Sequence, residues 1–204
     1  MPWQNRVRPD GDLIAAAARG TLTGNRGILH DRDGVIVRRS QVRRWICCRL
    51  EFRGRHRVVM APNRYTHLFF LDEATALAAG HRPCAECRHG DHVDFARCWA
   101  KALGLPAAPA ADDLDAVLHG ERALSGGRRA TWPADGVTLP DGVFVQLDGE
   151  PWLLVAGHLR RWTPGGYTEH LPLPGGPVAV LTPPSMVAAI GAGYRPRLHP
   201  TAQG

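Results

Sequence analysis

Apolar residues fall mostly into short runs bounded by Gly, Pro, Asp and Asn, the pattern of strands joined by turns. Ile28-Leu29 and Val35-Ile36-Val37 flank His30-Asp31-Arg32-Asp33-Gly34 and predict a β-hairpin closed by an Asp-Gly turn. Strands are expected over 45–52, 56–60 and 66–71. Asp72 then caps a short helix over 73–79, and Gly80 takes the left-handed position that ends it. A helix over 91–103 puts Val93, Phe95, Ala96 and Trp99 on one buried face, with Gly104 at its end. Residues 105–111 read as a linker, 112–124 as a helix and 125–129 as an exposed loop. Beyond Val137 come five short strands, over 142–147, 151–155, 159–162, 167–171 and 178–181, with an Asp148-Gly149 turn between the first two. Their spacing predicts a small antiparallel barrel or meander. Thr182 as N-cap and Pro183 as first helical residue open a last helix that Gly193 closes. The expected fold class is α+β: a module of β-hairpin and short helices over 1–104, a connector over 105–136, and a small antiparallel β-barrel-like domain over 137–204.

Charge changes this picture. The 204 residues carry 25 Lys+Arg against 19 Asp+Glu, and Lys101 is the sole lysine. Residues 1–100 hold 17 basic and 10 acidic side chains, and ten arginines lie within 32–64 against Asp33 and Glu51. Concentrated arginine is the footprint expected for a polyanion partner, of which nucleic acid is the commonest; a solvated basic face is the plainer reading. Arg26, Arg43, Arg44, Arg49, Arg53, Arg55, Arg64 and Tyr65 are the candidate contacts, with DNA the favoured partner. No apolar run is long enough for a membrane helix and no export signal opens the chain, so a cytoplasmic protein without membrane partners is expected.

Five cysteines without an export signal argue against a disulfide framework. Cys47, Cys48, Cys84 and Cys87 cluster within 41 residues, and Cys84-Ala85-Glu86-Cys87 has the spacing that lets two sulfurs converge on one zinc ion. Cys47 and Cys48 are neighbours on a predicted strand and face opposite sides. Cys48 is therefore the expected third ligand, with the fourth from Cys47, His67, His81 or His89. Cys98, beside Trp99 on a helical face, reads as core.

The run Ile46-Cys47-Cys48-Arg49, then Leu68-Phe69-Phe70, then Ala74 to Ala79 and Gly80-His81-Arg82-Pro83-Cys84-Ala85-Glu86-Cys87 resembles the zinc-binding domain of Ada-type DNA methylphosphotriester repair proteins. The resemblance spans about residues 45–88. It implies a zinc module that sits on nucleic acid. Cys48 would match the family's cysteine that is both ligand and methyl acceptor, and Cys84 and Cys87 would match its last two ligands. The family's remaining cysteine position holds Phe52 here.

Two kinds of chemistry are candidates. A zinc-held Cys48 thiolate is a competent nucleophile. His30 and Asp31 at the predicted hairpin turn, with Glu51 on the cysteine strand, are candidate acid–base groups; as plain structure, Asp31 is a turn residue and Glu51 pairs with an arginine. The expected function is a zinc-containing DNA-binding protein of repair or modification type, as a hydrolytic, base-removing or alkyl-removing enzyme. The competing expectations are a non-catalytic zinc-stabilised regulator or adaptor on nucleic acid, and a redox or metal sensor.

Overall fold

The computed structural model describes residues 1–54, 58–122, 124–125, 128–129 and 131–203. The first sheet is built from β1 (Gln4–Val7), β2 (Leu13–Ala15), β3 (Leu22–Asn25), β4 (Ile46–Arg49), β5 (Leu68–Phe70) and β6 (Arg82–Pro83), in the order β2-β1-β5-β3-β4-β6. Helix α1 (Glu73–Ala78) lies between β5 and β6; α2 (His89–Ala102) and α3 (Ala111–Glu121) follow, then the short pair β7 (Leu124–Ser125) and β8 (Arg128–Arg129). The second sheet contains β9 (Trp132–Asp135), β10 (Phe144–Leu147), β11 (Glu150–Val155), β12 (His158–Thr163), β13 (Gly166–Pro172) and β14 (Pro177–Val180), in the order β13-β12-β11-β10-β14-β9. Helix α4 (Pro184–Gly191) comes last. The fold is α+β, and no helix among the described residues is long and apolar enough to cross a membrane.

Helix α1 is the seam between the sheets. All six of its residues are buried. Ala76 and Ala79, just past its end, pack with Val7, Cys47, Leu68 and Phe70 of the first sheet. Ala74 and Ala78 pack with Phe144, Leu153, Trp162 and Tyr167 of the second. A helix pressed from both sides needs small side chains all round, which is what the alanine-rich segment supplies. Asp72 caps it as expected: Oδ1 accepts from the Thr75 amide at 2.9 Å and Oδ2 from the Tyr167 hydroxyl at 2.8 Å. On the far side, Phe95 and Trp99 of α2, Leu114 and Leu118 of α3, and Met186 and Ile190 of α4 cover Val145 and Trp152 of the second sheet.

Several expectations are corrected. The C-terminal strands form where predicted, but their sheet is open, with β13 and β9 as its edges. Segment 132–135, assigned to the connector, pairs with β14 instead, and Pro133 is tolerated there because an edge strand has one unpaired side. Helices cover the sheet in place of self-closure. The predicted hairpin at 28–37 forms as a tight turn and not as extended strands: a bridge between His30 and Ile36 is flanked by backbone bonds from the Asp31 amide to the Val35 carbonyl and from the Val37 amide to the Leu29 carbonyl, while Asp31 Oδ1 takes the amides of Asp33 and Val35 at 3.0 and 2.9 Å. Val93 is 50% exposed, and His92 sits on the buried face of α2 instead. Thr182 does not cap α4; its hydroxyl accepts from the Phe144 amide. The strand expected over 56–60 falls partly on 56–57, outside the described residues, and 58–60 is not strand.

Candidate metal centre and its cleft

Strand alternation decides which cysteine meets which surface. In β4, Cys47 pairs with Gly24 of β3 and Cys48 with Thr23. Cys47 is fully buried against Leu68 and Phe70, while Cys48 turns to the opposite, partly open face. Strand β6 runs parallel to β4, and the Cys84 amide donates to the Cys47 carbonyl at 2.9 Å. That bond lays the CxxC turn beside Cys48. The turn closes when the Arg88 amide donates to the Cys84 carbonyl at 3.1 Å and the chain enters α2.

The sulfurs of Cys48, Cys84 and Cys87 lie within 4.8 Å of one another, and the three can hold a metal ion. Sulfurs so close share protons. Thiol hydrogen bonds with Cys48 and Cys87 pull the Cys84 pKa down, and those with Cys84 and Cys87 push Cys48 up. Among the described residues no histidine or carboxylate joins this group.

Cys47 as a ligand is corrected. Arg88 Nη1 donates to its sulfur at 3.5 Å, and burial pushes the thiol up. His81, also a candidate ligand, is fully buried, accepts from Arg26 Nε at 3.1 Å and lies edge-on to Phe70. His89 is exposed, with Nδ1 3.2 Å from the Ala85 carbonyl. His67 lies in the wall of the cleft beside the cysteines, its ring 4.6 Å from that of Tyr65.

That cleft has a volume of about 290 Å³ and includes Cys48, Cys84 and Cys87 in its wall. It follows the outward face of the first sheet: Phe69 of β5 pairs with Thr23 of β3, which pairs with Cys48 of β4. Asn25, Tyr65 and Phe52 line it further along. Arg6 of β1 stacks over the Phe69 ring at 4.7 Å.

The candidate acid–base groups do not join the cysteines. His30 is buried, its Nδ1 2.6 Å from Thr66 Oγ1 and its Nε2 3.3 Å from the Ala61 carbonyl, so it anchors the 61–66 segment. Asp31 closes its turn and Glu51 is exposed.

The arginines divide. Arg43, Arg44, Arg49, Arg53 and Arg64 are exposed, Arg49 lines the cleft, and Arg55 lies outside the described residues. Arg26 is corrected: it is 2% exposed, donates to the Gly11 carbonyl and stacks on Trp45 at 4.1 Å. Arg122 stacks on the same ring at 4.6 Å, and burial pushes its guanidinium down to about 10.

Two buried arginines brace the cysteine turn from either end. Arg82 makes a two-pronged pair with Asp115 of α3, at 3.0 and 2.7 Å. Arg88 pairs with Glu73 at 2.7 Å, and the Tyr194 hydroxyl donates to the same carboxylate. Thr23 of the cleft and both ion pairs escaped the sequence reading, and Phe52 entered it only as the residue at the family's remaining cysteine position. Asp115, inside the apolar face set by Leu114 and Leu118, was the available signal for a buried partner. Comparison of the chain with protein-family models, with curated proteins and with solved structures finds no match.

Proposed function

We propose that the chain is a zinc-binding protein that acts on nucleic acid, DNA by preference, in repair or modification. The observation that carries this reading is the convergence of Cys48, Cys84 and Cys87 in the wall of a cleft that also contains Arg49 and Tyr65. Zinc suits the donors: four sulfurs about 2.3 Å from a tetrahedral ion sit about 3.8 Å apart, within the spread of these three. Soft thiolates in a redox-stable centre favour it over hard cations. Arg53 and Arg64, both exposed, adjoin the cleft residues Phe52 and Tyr65 in sequence and offer charge to a phosphate backbone. The resemblance of residues 45–88 to Ada-type zinc domains agrees with this reading and would make Cys48 the reactive thiolate. His30, Asp31 and Glu51 have no part in it.

Three sulfurs leave a tetrahedral ion one further position. If that position exchanges, the protein is an enzyme; if it is closed, the ion is structural and the protein a regulator or adaptor. Metal analysis of the purified protein is expected to find about one zinc per chain, lost in Cys84→Ser. DNA affinity is expected to fall with salt at a log–log slope near −4, as for about five phosphate contacts. Metal-free protein that remains folded, or affinity flat in salt, overturns the reading. Cobalt substitution separates the two forms, because an exchangeable position shifts the visible spectrum when small thiols or azide are added.

A further inference from the structure

We infer that the cleft beside the cysteines is a receptor for one unstacked nucleobase, so that this protein engages single-stranded or flipped-out nucleotides and not the groove of a paired duplex. The inference rests on the nucleic-acid reading above and specifies which part of the polymer enters the site.

The cleft's dimensions come first. At about 290 Å³ it lies at the lower end of small-ligand pockets, near 300 Å³, with room for a planar base and not for a duplex. Its lining comes second. Phe52, Tyr65 and Phe69 place three aromatic rings in one small cleft, and a base offers a π-face whatever its sequence. The third point is polar. Asn25 is half-buried in the same wall, and its side-chain amide makes no hydrogen bond among the described residues. An amide presents a donor and an acceptor side by side, the complement of a base edge. The last is charge. Arg49 lines the cleft, exposed Arg53 stacks over the Phe52 ring at 5.0 Å and exposed Arg64 adjoins Tyr65 in the chain, so guanidinium groups border the cleft where the phosphates on either side of an inserted base would lie. Aromatic faces, one base-edge reader and a cationic border on a sheet surface are the recurring means of binding splayed-out bases.

The test uses the full chain loaded with zinc and three labelled oligonucleotides of equal length, compared by fluorescence anisotropy. One is a mixed-sequence single strand, one the same backbone built of abasic sites, and one the paired duplex. The single strand is expected to bind about tenfold tighter than the abasic strand, the effect of one stacked base. The duplex is expected to bind no better than the abasic strand. Tyr65→Ala and Asn25→Leu are each expected to bring the single strand close to the abasic level while leaving abasic affinity unchanged; circular dichroism confirms the fold, and either variant suffices if the other unfolds. Equal affinity for natural and abasic strands, duplex binding as tight as single-strand binding, or variants without effect overturn the inference while nucleic-acid binding stands. No binding to any of the three overturns the nucleic-acid reading as well.

Discussion

Replacing Asp115 by leucine tests whether the cysteine turn is held in place by a charge pair remote from the candidate metal ligands. Arg82 and Asp115 are 2% and 5% exposed at their side chains, and two hydrogen bonds of 3.0 and 2.7 Å join them. Arg82 also opens the segment Arg82-Pro83-Cys84, so its guanidinium fixes the chain two residues before a ligand. Asp115→Leu leaves that guanidinium buried with its principal partner gone, keeping among the described residues a 3.2 Å bond to the Pro83 carbonyl. Breaking a buried pair from one side costs about 3–5 kcal/mol. In a chain of this size each kcal/mol moves the melting point by about 2–4 °C, so a fall of roughly 6–20 °C is expected. Urea denaturation gives the stability, and zinc competition with a chromogenic chelator gives the metal affinity. Both are expected to drop, although Asp115 touches no sulfur. Arg82→Met with Asp115→Leu in the same chain is expected to cost clearly less than the two single changes added together, because the apolar pair leaves no orphaned charge. A single-variant loss below about 1 kcal/mol, the size seen for exposed pairs, refutes the reasoning.

Three further outcomes follow from the same geometry. Cys48→Ser is expected to abolish stoichiometric metal binding, whereas Cys47→Ser keeps the metal and loses about 1–3 kcal/mol from a hydroxyl placed in an apolar core; equal metal loss in both would contradict the strand facing. Gly24→Ala is expected to destabilise by about 1–3 kcal/mol and to weaken metal binding, since its new methyl would press on the Ile46 carbonyl and the Phe70 ring and force β3 away from the strand that carries Cys48; unchanged denaturation midpoints would dismiss this. Burial pushes the Asp72 carboxyl above its ordinary 3.8, against hydrogen bonds from Thr75, His199 and Tyr167. The folded state then holds that proton more tightly than the unfolded chain, so the contribution of Asp72 is greatest below pH 3.8 and is lost as pH rises through the folded value. Denaturation at several pH values is expected to show the wild type losing stability relative to Asp72→Asn across that window, and parallel curves would speak against it.

What the sequence made legible was local. The cap at Asp72, the left-handed Gly80 and the CxxC turn are settled by neighbours a few residues apart, and each appears where the pattern puts it. The opposed facing of Cys47 and Cys48 follows from strand alternation alone, and alternation is enough to leave a single one of them for the CxxC turn. What stayed hidden depends on long-range pairing. Arg26, Arg82 and Arg88 look in sequence like Arg43 or Arg49, yet their guanidinium groups are spent on His81, Asp115 and Glu73, residues 55, 33 and 15 positions away. Composition therefore overstated the charge available to a polyanion. Strand spacing left the second sheet between a barrel and a meander for a related reason: whether strands close on themselves or accept helices across one face depends on where the apolar faces of α2, α3 and α4 end up, and no strand spacing encodes that. Helix α1 links these two failures. It is small enough to let both sheets approach, and its first residue, Glu73, gathers Arg88, Tyr194 and the Arg197 amide onto one carboxylate. The turn that ends at Arg88 is thus tied to the C-terminal segment through α1, so the candidate metal centre is coupled mechanically to that segment, and changes near Tyr194 should be felt at Cys87.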